Sequence, residues 1–270
     1  MQTFFPITSM RLGCFLSLLP VIIIFFGCAK HEAQQERIGV TAFEGANVLA
    51  ESDKKEEWKL LFDGKTTMGW RGINQETFPS EGWNVEDSML IANATDGKES
   101  GNGGDIITTE QYSDFVLDWE WKMWTKGGNS GVKYFVKEGL PGNEKYGPGL
   151  EYQILDDENH PWMLEGKMQP GDYHTMASLY EIYSAENKSP KPLGEWNYSR
   201  IVVQGRHVEH WLNGVKVLEY ERGSDDFKKK VAESKFSQYE KFGEANEGHI
   251  LLQDHGSKIA FRDIRIKELD

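Results

Sequence analysis

Phe115-Val116-Leu117-Asp118-Trp119-Glu120-Trp121-Lys122-Met123 puts five large apolar side chains on one face and Asp118, Glu120 and Lys122 on the other. A strand sends residues i and i+2 to the same side, so this period of two reads as a β-strand with one buried face. The same rhythm returns at 196–204, 208–212, 215–220, 249–254 and 258–267, each run bounded by turn residues. Asn213-Gly214 between two of them predicts a tight hairpin, because a type I′ turn needs positive φ twice. Helical patterning is confined to 225–236, with Ser224 or Asp225 as cap and lysines on a solvated face. The expected fold class is therefore all-β, an antiparallel two-sheet sandwich with one short helix.

Upstream of this domain the chain reads as a leader and a tether. Arg11 is the only charge before Lys30, and 12–27 is an almost wholly apolar run. That run is shorter than the roughly 20 residues of a spanning helix and suits a secretory h-region. It ends at Phe25-Phe26-Gly27-Cys28, which resembles the lipobox of bacterial lipoproteins, with Phe25 departing from the usual Leu. The expected organisation is a signal peptide over 1–27, an acylated Cys28 with a flexible tether over 28–55, and one domain over 56–270. Ala29-Lys30-His31 lacks acids just after the cysteine, which favours a periplasmic over a surface-exposed anchor. Cys14 and Cys28 are the only cysteines, so the mature domain is expected to lack both a disulfide and a cysteine nucleophile. The formal net charge of −13 argues against nucleic acid and is compatible with an uncharged ligand such as a sugar.

Two strand-like runs carry chemistry on one side. Asn129-Ser130-Gly131-Val132-Lys133-Tyr134 and Glu151-Tyr152-Gln153-Ile154 place Lys133 on the polar face of one, and Glu151 and Gln153 on that of the other. Solvent alone also explains such a face. Glu181 stands out similarly if Tyr180 and Ile182 are core. Trp211 alternates against Val208, His210 and Leu212, either as an exposed sugar-stacking ring or as a packed second layer. Gln253, Asp254 and His255 end a strand before Gly256, and a strand-end histidine serves as acid or base near neutral pH. Asp118 and Glu120 share a face with Lys122 and read as a solvated exterior. The Glu151 strand does not carry the E-x-D-x-x-E arrangement of laminarinase-type enzymes, and the seven histidines show no metal-binding spacing. No cofactor is expected, although a divalent metal assembled from distant residues stays open.

Ordered short matches give the chain a family likeness. They are Leu61-Phe62-Asp63-Gly64-Lys65 with Trp70, Trp83-Asn84-Val85-Glu86-Asp87, Gly128-Asn129-Ser130-Gly131, and Glu151-Tyr152-Gln153-Ile154-Leu155-Asp156-Asp157. Gly194-Glu195-Trp196-Asn197, His210-Trp211-Leu212-Asn213-Gly214 and Leu252-Gln253-Asp254-His255-Gly256 continue the series. With these, residues of about 58–267 resemble the bacterial 3-keto-disaccharide hydrolase family. The resemblance implies a concanavalin- or laminin-G-like jelly roll. It also implies an oxidised (3-keto) glycoside or disaccharide as substrate. Its ketone acidifies carbon 2, so a base, an enolate stabiliser and an acid are needed, not two carboxylates at glycosidase spacing. On that basis Glu151 and His255 are expected as base and acid in either order, and Lys133 or Arg200 as enolate stabiliser. Asn129, Gln153, Glu181 and Gln253 are expected to bind hydroxyls, with Trp211 against a sugar ring. The rival from another class is a lipid-anchored carbohydrate-binding module without catalysis; fold alone does not separate the two.

Overall fold

The computed structural model describes residues 1–2, 46–95, 103–139 and 147–270. The leader, Cys28 and most of the expected tether lie outside the described residues. In chain order the elements are α1 (Glu51–Lys55), β1 (Lys59–Leu60), β2 (Trp70–Gly72), β3 (Trp83–Glu86), β4 (Met89–Ala92), β5 (Ile106–Thr108), β6 (Phe115–Met123), β7 (Asn129–Val136) and β8 (Leu150–Leu155). There follow α2 (Pro161–Leu164), β9 (Asn197–Gln204), β10 (His207–Leu212), β11 (Val215–Glu221), α3 (Asp225–Glu233), β12 (His249–Leu252) and β13 (Ile259–Glu268). Short 3-10 turns occupy Asp157–Asn159 and Lys235–Gln238.

The strands pair antiparallel in two sheets, the expected sandwich. The larger runs β11-β10-β9-β6-β13-β4-β3, with β1 also on β13, and the smaller runs β2-β5-β12-β7-β8. The apolar face of β6 is buried as its alternation requires, and Trp119 meets Tyr152 of the facing sheet edge-on at 5.0 Å. Asn213 (φ 49°) and Gly214 (φ 80°) form the hairpin between β10 and β11.

Between the sheets His210 accepts from Tyr134 Oη at 2.9 Å and donates from Nδ1 to the Ala177 carbonyl at 2.8 Å. A carbonyl only accepts, so Nδ1 carries a proton, and burial disfavours the second proton that would charge the ring. Burial accordingly holds its pKa down, to about 4.

Strand β7 departs from strict alternation at one point. Lys133 pairs with Leu251 but Val136 pairs with His249, a β-bulge that gives β7 an extra residue. Phe135 takes it up at φ 55°, so Tyr134 and Phe135 both turn into the core. Val136 then joins Ile73, Ile107 and Leu251 in a separate apolar cluster.

The outer face of the larger sheet corrects three expectations. Asp118 is not solvated: it is fully buried, accepting from Arg200 at 2.6 and 2.9 Å, from Arg265 at 3.1 and 3.2 Å and from Tyr198 Oη at 2.8 Å. Arg200 is thereby committed to this network, with the Trp58 ring 5.8 Å away, on the sheet opposite the one that carries Lys133 and Glu151. Trp211 is only 3% exposed; its indole N–H donates to Glu209 Oε2 at 2.8 Å and Lys216 Nζ lies 5.9 Å from its ring. Both sit across the core from the polar strands, so neither reaches a ligand there. The tether boundary at 55 is also too late. Asn47 already exchanges hydrogen bonds with Asp263, and Asp53 of α1 accepts from Arg265 at 2.7 Å.

Candidate active site

The outward face of the smaller sheet holds the polar residues together. Cross-strand register sets Lys133 of β7 against Glu151 of β8, and Gly131 against Gln153. Side chains so paired are neighbours on one face. Lys133 Nζ stands 3.8 Å from Glu151 Oε2 and 3.9 Å from Asp105 Oδ2. β12 runs along the other side of β7 and delivers Gln253 and His255 just beyond its end. Gly131 makes room: a Cβ there would lie 2.8 Å from Glu151 Oε1 and 3.2 Å from Gln253 Oε1. A glycine thus lets the carboxylate and the amide lean across the strand.

Lys133 and Glu151 are each only 7% exposed, yet both border a cavity of about 310 Å³. Asn129, Gln153, Gln253 and His255 border it too, as do Tyr180, Lys235 and the Gly147-Pro148-Gly149 loop. A Cβ on Gly147 would come within 2.5 Å of Val136 Cγ1, so the loop rests directly on the apolar cluster beside the site. Of all described residues, Glu151 is the one acid bordering this cavity. The side-chain oxygens of Asn129, Gln153 and Gln253 are buried without a hydrogen-bond partner among the described residues. Buried polar groups are normally paired, so these amides hold capacity that the protein itself does not use.

Behind the cavity lies Asp105, 1% exposed, accepting from the Asp254 backbone N–H at 2.9 Å. Burial pushes its carboxyl up to about 7, and the nearby Lys133 only partly opposes that rise. Its Oδ2 has no hydrogen-bond partner among the described residues.

A second chamber of about 400 Å³ adjoins the first and shares Asn129, Gln153, Tyr180, Lys235 and His255 with it. His160, Trp162 and His174 close its far side. Burial, and next the proximity of His255, hold His160 below the ordinary imidazole value.

Six expected residues are thus brought to one cleft: Glu151, His255, Lys133, Asn129, Gln153 and Gln253. Glu181 is not among them. Its segment is no alternating strand: Leu179 and Ile182 are buried, Tyr180 turns to the cavity, and Glu181 (φ 68°) sits behind, 3.3 Å from His174 Nε2 and 3.7 Å from Lys235 Nζ. Sequence reasoning missed Asp105, which looks like the end of a glycine-rich turn. It also missed His160, Tyr180 and Lys235, which arrive on loops or the turn after α3, where no periodicity marks a face. One trio among the described residues, His207, Glu209 and Glu219, brings potential metal-ligand atoms within 4.8 Å of one another. It belongs to β10 and β11 of the other sheet, and Lys216 already bonds Glu209 at 3.3 Å and Glu219 at 2.7 Å.

A family profile described as a 3-keto-alpha-glucoside-1,2-lyase-like domain matches residues 57–267. The chain belongs to this family. It is 39% identical to a 3-keto-disaccharide hydrolase of Bacteroides thetaiotaomicron, over 90% of this chain and 91% of that one. A crystal structure of a candidate glycosyl hydrolase from Parabacteroides distasonis superposes with a TM-score of 0.73 at 37% identity, covering 84% of this chain and 100% of that one. A second candidate glycosyl hydrolase from the same organism gives a TM-score of 0.59 at 30% identity, covering 78% and 99%. These two structures share the sandwich with this chain, and the span matched by the family profile includes every residue of the cleft.

Proposed function

We propose that this protein hydrolyses 3-keto-glycosides by elimination across carbons 1 and 2 followed by addition of water. The observation that carries this is the composition of the cleft: a single bordering carboxylate among the described residues, Glu151, with the Lys133 amine 3.8 Å from it. A direct glycosidase displacement needs two carboxyl groups about 5–10 Å apart across the cleft. Elimination needs a single base next to a cation, because the proton removed from carbon 2 and the oxygen on carbon 3 belong to adjacent atoms.

Glu151 takes the carbon-2 proton, and the electron pair moves into the carbon-3 carbonyl. The resulting enolate oxygen faces the Lys133 ammonium, whose charge is worth most in a water-poor site. The pair then returns to form the carbon-1–carbon-2 double bond while the carbon-1–oxygen bond breaks. His255, at the boundary of the two chambers, gives that leaving oxygen its proton. Water adds to carbon 1 of the enone and loses a proton, carbon 2 is reprotonated, and the sum is hydrolysis. Asn129, Gln153 and Gln253 hold ring hydroxyls with their spare amide capacity.

The carbohydrate-binding alternative fits less well, since a purely binding platform has no use for a buried carboxylate and amine beside a half-buried imidazole in one cleft. The test is incubation of the purified protein with 3-keto-trehalose, assayed for sugar release. Glu151→Gln is expected to lower kcat by at least about 10²-fold, the usual worth of a positioned base, while substrate still binds. A variant as active as the wild type would remove Glu151 from this role.

The proposal extends to acylation of Cys28 and a periplasmic, membrane-anchored location, supported by the leader's composition alone. Metabolic labelling with a palmitate analogue should mark the wild type and not Cys28→Ser. Equal marking of both would refute the anchor.

A further inference from the structure

Trp162 is 43% exposed, yet its ring is held in place. It meets His160 edge-on at 5.7 Å and His174 edge-on at 5.7 Å. The short helix α2 sets this position: Pro161 opens the helix, and His160 Nδ1 caps it by accepting from the Trp162 backbone N–H at 3.3 Å. His174 is clamped in turn, by Asp172 Oδ1 at 2.7 Å and Glu181 Oε1 at 3.3 Å. Beyond it Tyr180 stands 5.1 Å away, with Lys235 Nζ 4.2 Å from the Tyr180 ring centroid. A row of four rings, each braced by its neighbour, therefore runs along the second chamber. Rigid aromatic surface left open beside polar groups is suited to a ligand with one flat apolar face and a hydroxylated rim.

We propose that the second chamber is the leaving-group subsite and that Trp162 selects a second sugar ring there. The identity of that ring as a leaving group rests on the elimination reading; the existence of a two-ring site does not. Three observations orient the substrate. Glu151 and Lys133 border only the first chamber, so carbons 2 and 3 of the oxidised ring belong there. His255 borders both, which sets the scissile oxygen at the junction. The chamber beyond holds no acid among the described residues, and its open surface is the Trp162 ring with His160 and His174. Glu181 thus regains a role one step removed from the ligand, as a positioning residue that fixes His174 within the aromatic row.

The test uses unoxidised sugars, which bind without being cleaved. Calorimetry of the wild type should show α,α-trehalose binding more tightly than methyl α-glucoside. Trp162→Ala should weaken trehalose about tenfold, a loss of the size expected for one stacked ring, and leave methyl α-glucoside within about twofold. Equal affinities in the wild type, or equal losses for both ligands in the variant, would overturn the subsite. Cleavage of 3-keto-trehalose by the wild type is measured in parallel. Trp162-dependent trehalose binding without any cleavage removes the elimination reading and keeps the two-ring site. Cleavage with Trp162-independent binding does the reverse.

Discussion

Lys133 faces two carboxylates, Glu151 at 3.8 Å and Asp105 at 3.9 Å, and they are not equivalent. Glu151 borders the cavity; Asp105 is sealed behind it, where desolvation disfavours its charged form. With its pKa pushed from 3.8 to about 7, folded Asp105 keeps a proton that the unfolded chain has already released. Between those values the folded state binds more protons, so this group's contribution to stability falls as pH rises. Asp105→Asn removes the dependence. The melting temperature of the variant, relative to wild type, should therefore climb from about pH 4 to about pH 7 and then level off. Thermal denaturation curves that run parallel across this range would contradict the assignment. Strand alternation made Lys133, Glu151 and Gln153 legible as one polar face. It gave no sign of Asp105, because a carboxylate ending a glycine-rich run looks like any turn residue until the fold sets it behind a lysine.

Alternation reports which face of an element a residue occupies but not what covers that face. It sets Asp118 correctly away from the core of the sandwich and still misjudges its environment, since Trp58 and α1 pack over that part of the larger sheet's outer face. The result is an ion network linking β6, β9, β13 and α1 through Asp118, Arg200, Arg265 and Asp53. Removing one partner of a buried pair leaves uncompensated charge behind. Asp118→Ala should accordingly cost about 3–5 kcal/mol, read from the denaturation midpoint in urea. A loss below about 1 kcal/mol would mean that the network behaves as an ordinary surface pair. The β7 bulge is likewise illegible in the sequence: a bulky residue at positive φ is too rare to expect. It is nonetheless what puts both Tyr134 and Phe135 into the core and Val136 beneath the Gly147 loop. The loop-borne wall of the second chamber has no periodic signal at all.

At the scale of the molecule, the two sheets divide the work. One outer face carries a short helix and a buried ion network, and the other is left open as a cleft whose polar groups exceed what the fold requires. The ordered motifs spread over residues of about 58–267 made the family legible from the chain alone, because every matched segment falls on a strand, a turn or the cleft. What they did not give was the division of labour within the cleft, which depends on which side chains meet across strands. Elimination and direct displacement differ at one bond, the carbon-2–hydrogen bond, which only elimination breaks. Brief turnover of a 3-keto-glucoside in D2O, with the released keto sugar analysed by NMR against keto sugar incubated alone, reads that bond. Deuterium at carbon 2 of the enzymatic product, above the control, is the predicted result. Cleavage that leaves carbon 2 with its original hydrogen would contradict it.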